Sequence, residues 1–493
     1  MFEQISLFED LMLEKKIEKP IRLISFFSGI EAQYKALSYL GRKLNHPVES
    51  YKTCEWAYSS IVSCNAIHNR DFTDYSEGKS REEMINAIRG ISTNYNEPLS
   101  DKQLAKKPIK WIKSAYNNCK ANHNLINIMD VHGRDLEIVD LDKYEYIITY
   151  SFPCQDLSIG GYMRGMETSQ KEGGTRSGLL WEVERILGEL DWSHRPQILL
   201  MENVPQIHSV KDYPQFEKWM IRLEELGYTS YWADLNAKDY GIPQNRKRTF
   251  MVSLKKEGAS EYNFYYPAPF KRDYNLKDML EDKVADKYYL SRKLFDYFTG
   301  VNQKDSKYNR NKVFRRNFNP NKKVAATITT HTGSRPTDNF VIEDKSLFSE
   351  VEKALFTQDG NIRRYIGSDQ IDIFEEGDMA TTIYPKGYGH GPRTHKKLSI
   401  TLNTIDRPCV KHHLRIRKLT PKEAMRLMGF QDIDYMHMRE VASDTVVFHC
   451  AGDSIVVTVL IGIFSKLLGV NNEDTINLIK QYVKEIKEVG LND

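Results

Sequence analysis

A thiol, a carboxylic acid and two guanidinium groups stand at the ends of successive apolar runs in this sequence. The run Tyr144–Ser151 feeds straight into Phe152-Pro153-Cys154-Gln155, putting a cysteine on a loop at the carboxyl end of an expected strand, where open α/β sheets keep their reactive groups. The next run, Pro196–Asn203, ends in Glu202-Asn203-Val204. After a third strand-like stretch comes Gln244-Asn245-Arg246-Lys247-Arg248, and since alternate side chains of a strand share a face, Arg246 and Arg248 are expected to point the same way. Each group alone has a bland reading. A cysteine after proline is usually a small buried hydrophobe, a glutamate at a strand end a cap or ion-pair partner, and a charge run a solvated face. Facing one cleft, they suit attack by a thiolate on a polarised ring, with an acid and cations to quench the charge that builds there.

Such loops need a scaffold. Apolar runs at Ile21–Phe27, Glu49–Glu55, Tyr144–Ser151, Pro196–Asn203 and Arg248–Leu254 alternate with helical patterns such as Glu31–Gly41. That alternation reads as βαβ units with a parallel sheet, a doubly wound Rossmann-like α/β fold. The polar stretch at about 71–124, with the lysines and two aromatics of DKQLAKKPIKWIKSAYNNCK, reads as a surface insertion, a solvated helical excursion, with a DNA-touching role as the alternative. From Phe270 to about Arg407 helical periods give way to three loosely echoing stretches, Val324–Pro336, Met379–Pro392 and Leu398–Pro408, expected as short strands and turns of a smaller, mostly β or irregular lobe. Helix returns from Leu419. Residues 1–269 and 408–493 are therefore expected to form one domain and 270–407 a second lobe, a division that suits a chain of 493 residues.

Composition bounds the rest. A hydrophobic fraction of 40%, a charged fraction of 28% and a net charge of +3 describe an ordinary soluble globular protein and leave nucleic acid neither demanded nor excluded. No apolar stretch long enough to span a bilayer is expected, and the acid-containing start is unlike a secretory signal. The six cysteines are scattered without a CxxC pair, which argues against structural zinc and suits a reducing, cytoplasmic compartment.

Pro153-Cys154-Gln155, Glu202-Asn203-Val204 and Gln244-x-Arg246-x-Arg248, in that order, resemble the cytosine-5 DNA methyltransferase family over nearly the whole length. The resemblance implies an enzyme that methylates carbon 5 of a cytosine flipped out of duplex DNA, with a target-recognition lobe at 270–407. It implies Cys154 as nucleophile, Glu202 as the acid holding the base, and Arg246 and Arg248 steadying the flipped nucleotide, with Gln155, Ser158, Asn203 and Gln244 as further substrate contacts. S-adenosyl-L-methionine would be the methyl donor and S-adenosyl-L-homocysteine the product, with no metal. Phe26-Phe27-Ser28-Gly29-Ile30-Glu31 stands where the family writes Phe-x-Gly-x-Gly-Gly, keeping only Gly29, and the donor contacts implied are Phe27, Ser28, Gly29, Ile30, Glu55, Trp56, Asp130, Pro153, Asp453 and Ser454. Ala451–Ile455 resembles the family's tenth motif with aspartate for asparagine, either of which caps a helix, and Glu423 and Arg426 are implied as a brace beneath the lobe. Gly160, Gly161 and Gly165 suit a closing lid. Implied partners are double-stranded DNA and, in a restriction–modification setting, a cognate endonuclease. The protein is expected to be a monomer in a prokaryotic or phage-host cytoplasm. Rival readings are a transfer RNA methyltransferase of the same chemistry, a catalytically silent DNA-binding regulator and, less favoured by the glycine-poor turn, a nucleotide-dependent oxidoreductase.

Overall fold

The computed structural model describes residues 17–153, 176–256, 263–289 and 416–488, with short stretches at 316–317, 324–330, 332, 340–342, 362–363, 371–372 and 379–381. Cys154, Gln155, Ser158, the three lid glycines and most of the 270–407 lobe lie outside the described residues.

In chain order the strands around the site are β1 (Ile21–Phe26), β2 (Val48–Cys54), β3 (Glu145–Tyr150), β4 (Ile198–Asn203), β5 (Tyr228–Asn236), the two-residue β6 (Gln244–Asn245) and β7 (Lys247–Lys255). Six of them form one sheet in the order β2-β1-β3-β4-β7-β5. β3 and β4 are buried at every residue, the reason they read as unbroken apolar runs. Their alternate side chains feed two cores. Leu23, Ile147, Leu200 and Val252 belong to one cluster, and Ile24, Ile148, Met201 and Met251 to the other, as the two-residue period of a strand requires.

β1 to β4 are mutually parallel, whereas β7 runs antiparallel to both β4 and β5. The expectation of a parallel sheet is corrected at that strand, with a consequence for chemistry. Asn203 pairs with Thr249, so the amino end of β7 lies beside the carboxyl end of β4. A parallel β7 would have carried its arginines to the opposite edge of the sheet.

Apart from the single turn Leu276–Met279, the α-helices among the described residues are α1 (Ala32–Leu44), α2 (Tyr58–Cys64), α3 (Arg81–Ala87), α4 (Asp101–Ala105), α5 (Ile109–Ala121), α6 (Leu180–Gly188), α7 (Tyr213–Glu225), α8 (Pro421–Leu427), α9 (Asp432–Val441), α10 (Asp444–Asp453), α11 (Val457–Leu467) and α12 (Asn472–Glu485). Residues of α1 and of α8 to α12 share the first core cluster, so the end of the chain packs beside its beginning. The buried Lys35–Asp434 ion pair, at 2.7 Å, links α1 to α9 across that junction. Contrary to the expectation that no apolar stretch reaches membrane-spanning length, Asp444–Leu467 does so by count. It is broken into α10 and α11 at Ser454–Val456 and 83% of its most apolar window is buried in the protein, the signature of core helices.

The 71–124 segment is helical, as expected, but it is more than a solvated excursion. Met84, Ile88, Ile91, Leu104, Ile112 and Tyr116 bury an apolar face against Ile61 of α2, with Trp56 and Tyr58 packed alongside. Its lysines occupy the outer face: Lys102, Lys106, Lys110, Lys113 and Lys120 are exposed.

Glu423 and Arg426, expected as a brace, are both buried in polar contacts. Glu423 is fully buried and takes both terminal nitrogens of Arg417, at 2.8 and 2.9 Å, and the backbone N–H of Glu281. Arg426 pairs with Asp432 and donates to the carbonyls of Met279 and Leu280.

Candidate active site

The carboxyl ends of β1 to β4 and the amino end of β7 open onto one cavity. Its lining runs from Phe27, Ser28 and Gly29 through Glu55 and Trp56 to Pro153, Glu202, Asn203, Arg246 and Arg248, with Asp453 and Ser454 closing one side. The strand order reverses between β1 and β3, the switch point where such sheets bind ligands.

The β1–α1 turn is unusual. Phe27, Gly29 and Glu31 all adopt left-handed backbone, with φ of 54, 54 and 53°. Only Gly29 is free of the cost a side chain pays there, about 1–2 kcal/mol. A Cβ on Gly29 would meet nothing within 4 Å, so its backbone conformation, not crowding, calls for glycine. Glu31 is held by its own side chain. Its carboxyl is buried and accepts from Ser25 Oγ at 3.1 Å and from Ser50 Oγ at 2.9 Å, with the Cys64 thiol at 3.7 Å. Burial pushes this acid up to about 7, the hydroxyls and thiol pulling it back only in part.

Glu55 emerges from β2 with its oxygens on two backbone amides, Gly29 N–H at 2.9 Å and Ala57 N–H at 2.7 Å. Asn124, at the end of the inserted segment, holds the Glu55 backbone N–H and carbonyl at 2.9 Å each. Burial raises the Glu55 carboxyl, and those two amides oppose the shift. A carboxylate aimed along the wall, flanked by Cys54, Trp56, Ile128, Phe152 and Leu179, fits the hydroxyl and ring chemistry of a nucleoside-bearing methyl donor.

At the other end of the cavity Glu202 is 7% exposed and its Oε1 lies 3.2 Å from Arg248 Nε. That is ion-pair distance without hydrogen-bond alignment. Burial raises the Glu202 carboxyl, while Arg248 and then Arg246 pull it down and Asp453 adds to the rise. Asn203 donates from Nδ2 to the Phe152 carbonyl at 3.1 Å, tying the end of β4 to the loop that leads into Cys154.

The two arginines have different surroundings, although both reach the cavity. Arg246 is 4% exposed and donates to the carbonyls of Ile328, Gly452 and Ser454 at 3.0, 3.0 and 2.8 Å. Gln244 is fully buried, outside the lining, with Nε2 on the Leu427 carbonyl at 2.6 Å and Oε1 on the Ile328 N–H at 2.9 Å. These residues join three stretches remote in sequence. Gly452 is needed at that junction, because a Cβ there would come within 2.2 Å of the Thr329–Thr330 backbone.

Several other expected positions are displaced. Asp130 is exposed and outside the lining, where Asn127 and Met129 stand instead. Asp130 accepts from Asn127 Nδ2 at 2.7 Å in a short 3-10 turn that points it outward. Ile30 turns into the apolar core. Asp453 caps no helix: it ends α10, and α11 starts at Val457, after Val456, without a side-chain cap. Its carboxylate lies 3.2 Å from His449 Nδ1, one turn back. Gln33, Tyr95 and His449 also line the cavity. Nothing in their local sequence marks them.

The sequence model of the C-5 cytosine-specific DNA methylase family matches residues 81–469. The orphan methyltransferase M.SssI of Spiroplasma monobiae is 36% identical over 288 residues, 57% of this chain and 70% of that one. The type II methyltransferase M2.ScrFI of Lactococcus lactis subsp. cremoris is 28% identical across 91% of this chain and 99% of its own. Among solved structures, Spodoptera frugiperda DNMT2 aligns with a TM-score of 0.50 at 14% identity, covering 90% of this chain and 99% of that one, a likeness of fold. With most of its length matched, the chain belongs to the C-5 cytosine-specific DNA methylase family and is a DNA cytosine-5 methyltransferase.

Proposed function

We propose that the protein transfers a methyl group from S-adenosylmethionine to carbon 5 of a cytosine flipped out of a specific duplex DNA sequence, through a covalent bond between Cys154 and carbon 6. The observation that carries this reading is the single cavity joining Glu55 and Trp56 to Glu202 and Arg248, beside the loop that continues from Pro153 into Cys154. S-adenosylmethionine, when bound, supplies an electrophilic methyl group on a sulfonium centre. Glu55, Trp56, Phe27 to Gly29 and the Asp453-Ser454 turn would hold it, with Asn127 in the place expected of Asp130.

The Cys154 thiolate adds to carbon 6, and the electron pair of the 5,6 double bond moves toward carbon 5 and ring nitrogen 3. Glu202, whose carboxyl burial raises against the pull of Arg248 and Arg246, gives nitrogen 3 the proton or hydrogen bond that quenches this charge. Arg248 faces the carbonyl oxygen of the ring. Once carbon 5 is methylated, loss of its hydrogen as a proton restores the double bond and expels Cys154. Arg246 and Gln244, committed to backbone groups, hold the wall on which Arg248 stands. Residues 1–269 and 408–493 act as the catalytic domain and 270–407 as the target-recognition lobe on DNA. The protein works as a cytoplasmic monomer, alongside a cognate endonuclease where it serves restriction–modification.

Fluorine at carbon 5 cannot leave as a proton. A random-sequence duplex pool carrying 5-fluorocytosine, incubated with S-adenosylmethionine, should therefore trap the wild-type protein in a complex that survives denaturing electrophoresis. Glu202→Gln should trap far more slowly. Equal trapping by Cys154→Ala, or trapping on the RNA pool but not the DNA pool, overturns the reading.

A further inference from the structure

We infer that Tyr95 and His449 form a stacked aromatic bar across the methyl-donor end of the cavity and act as positioning residues that set how tightly the donor is held and how fast it leaves. The inference rests on the proposed reading of that cavity as the donor site.

The inserted segment is fastened to the backbone next to Glu55. Ser92 N–H donates to the Trp56 carbonyl at 2.7 Å, and Tyr58 N–H donates to the Ser92 carbonyl at 2.9 Å. Asn94 Oδ1 then accepts from the N–H groups of Asn96 and Glu97, at 3.0 and 3.2 Å, folding a tight turn. Tyr95 sits inside that turn with φ of 61°, a backbone conformation that disfavours a bulky side chain. Two contacts hold it there. Its hydroxyl bonds Ser59 Oγ, and its ring lies 3.7 Å, centroid to centroid, from the His449 imidazole at 14° from parallel.

His449 belongs to α10, whose last turn supplies Asp453 to the same lining, and its Nδ1 lies 3.2 Å from that carboxylate. The stack thus ties the wall after β2 to the wall before α11, two stretches that the central sheet leaves unconnected at this end. The apolar cluster of the inserted segment is already complete without Tyr95, so core packing does not explain a strained aromatic residue in the cavity wall. A molecule seated against Glu55 and Trp56 meets this bar as its outer boundary, and opening the bar opens the pocket.

The test measures binding and release of S-adenosylhomocysteine by the full chain, using calorimetry and stopped-flow displacement. Wild type should bind, and Glu55→Ala should weaken binding. Tyr95→Ala and His449→Ala should each raise the dissociation constant on the order of five- to ten-fold, mainly through faster release, as loss of one aromatic pair implies. The double variant should be no worse than either single one, because both remove one interaction. Tyr95→Phe and His449→Phe keep the stack and should recover most of the affinity that the alanine variants lose. If the alanine variants do not fold, Tyr95→Leu, which fills space without a π face, is read in their place with the same expectation.

Failure of the wild type to bind, or indifference to Glu55→Ala, overturns the donor-site reading itself. Wild-type binding that depends on Glu55 but is unchanged, in both affinity and release rate, by losing either ring overturns this inference alone. Additive losses in the double variant likewise refute a shared bar.

Discussion

Replacing Glu31 by glutamine tests whether a buried, uncompensated acid lies under the donor turn. Glu31 is 1% exposed and, among the described residues, its carboxyl is held by two hydroxyls and a thiol and by no cation. Its carboxyl is raised from 4.5 to about 7. Between those values the folded protein keeps a proton that the unfolded chain has released. Stability therefore falls as pH rises through the window, and the deficit is constant above it, at about 3 kcal/mol. Glutamine is isosteric and always neutral, and serine hydroxyls can donate to its oxygen or accept from its amide. The variant should thus gain on wild type by about 2 kcal/mol between pH 5.5 and pH 8.5. Urea midpoints for both proteins at several pH values in that range supply the comparison, with the trend in the difference, not its absolute size, as the readout. A difference that stays flat, or that shrinks as pH rises, would refute an acid held protonated near neutrality.

Cys154→Ala should abolish methyl transfer while leaving DNA binding measurable by mobility shift, since the thiol makes a bond and not a contact; near-normal activity would sink the covalent route. Arg246→Ala should strand three backbone carbonyls and destabilise the protein on the order of 3–5 kcal/mol, visible as a large loss of thermal midpoint. Arg248→Ala should leave the fold intact and lower kcat/KM. Removing that cation lets the Glu202 carboxyl rise further, so the alkaline limb of the rate profile should move to higher pH; a shift to lower pH refutes a required protonated Glu202. Asp434→Asn leaves the Lys35 ammonium buried without its partner and should cost on the order of 3 kcal/mol, with the dissociation constant for S-adenosylhomocysteine unchanged in calorimetry.

The sequence by itself determined the parts whose signals are local. Strands buried on both faces must be largely apolar, so β3 and β4 announce themselves, and Glu202, near the end of β4, and Pro153, just past β3, are found on the cavity wall. Glu55 and Trp56 also stand on that wall, just past β2, although β2 is buried only at its last two residues, Thr53 and Cys54. Strand direction is not local. The antiparallel placement of β7 follows from pairing with β4 and β5, and it alone brings Arg248 to Glu202. Nor does a charged motif reveal where its side chains will be spent: Gln244 and Arg246 serve backbone groups near residues 328, 427 and 452 because three distant stretches meet there with unpaired carbonyls and amides, and a buried polar group must be satisfied. One 3-10 turn puts Asn127 in the cavity and Asp130 in solvent. Tyr95 and His449, hundreds of residues apart, become neighbours only when the inserted segment and the C-terminal helices close on the same sheet edge, an outcome of long-range packing that periodicity does not encode.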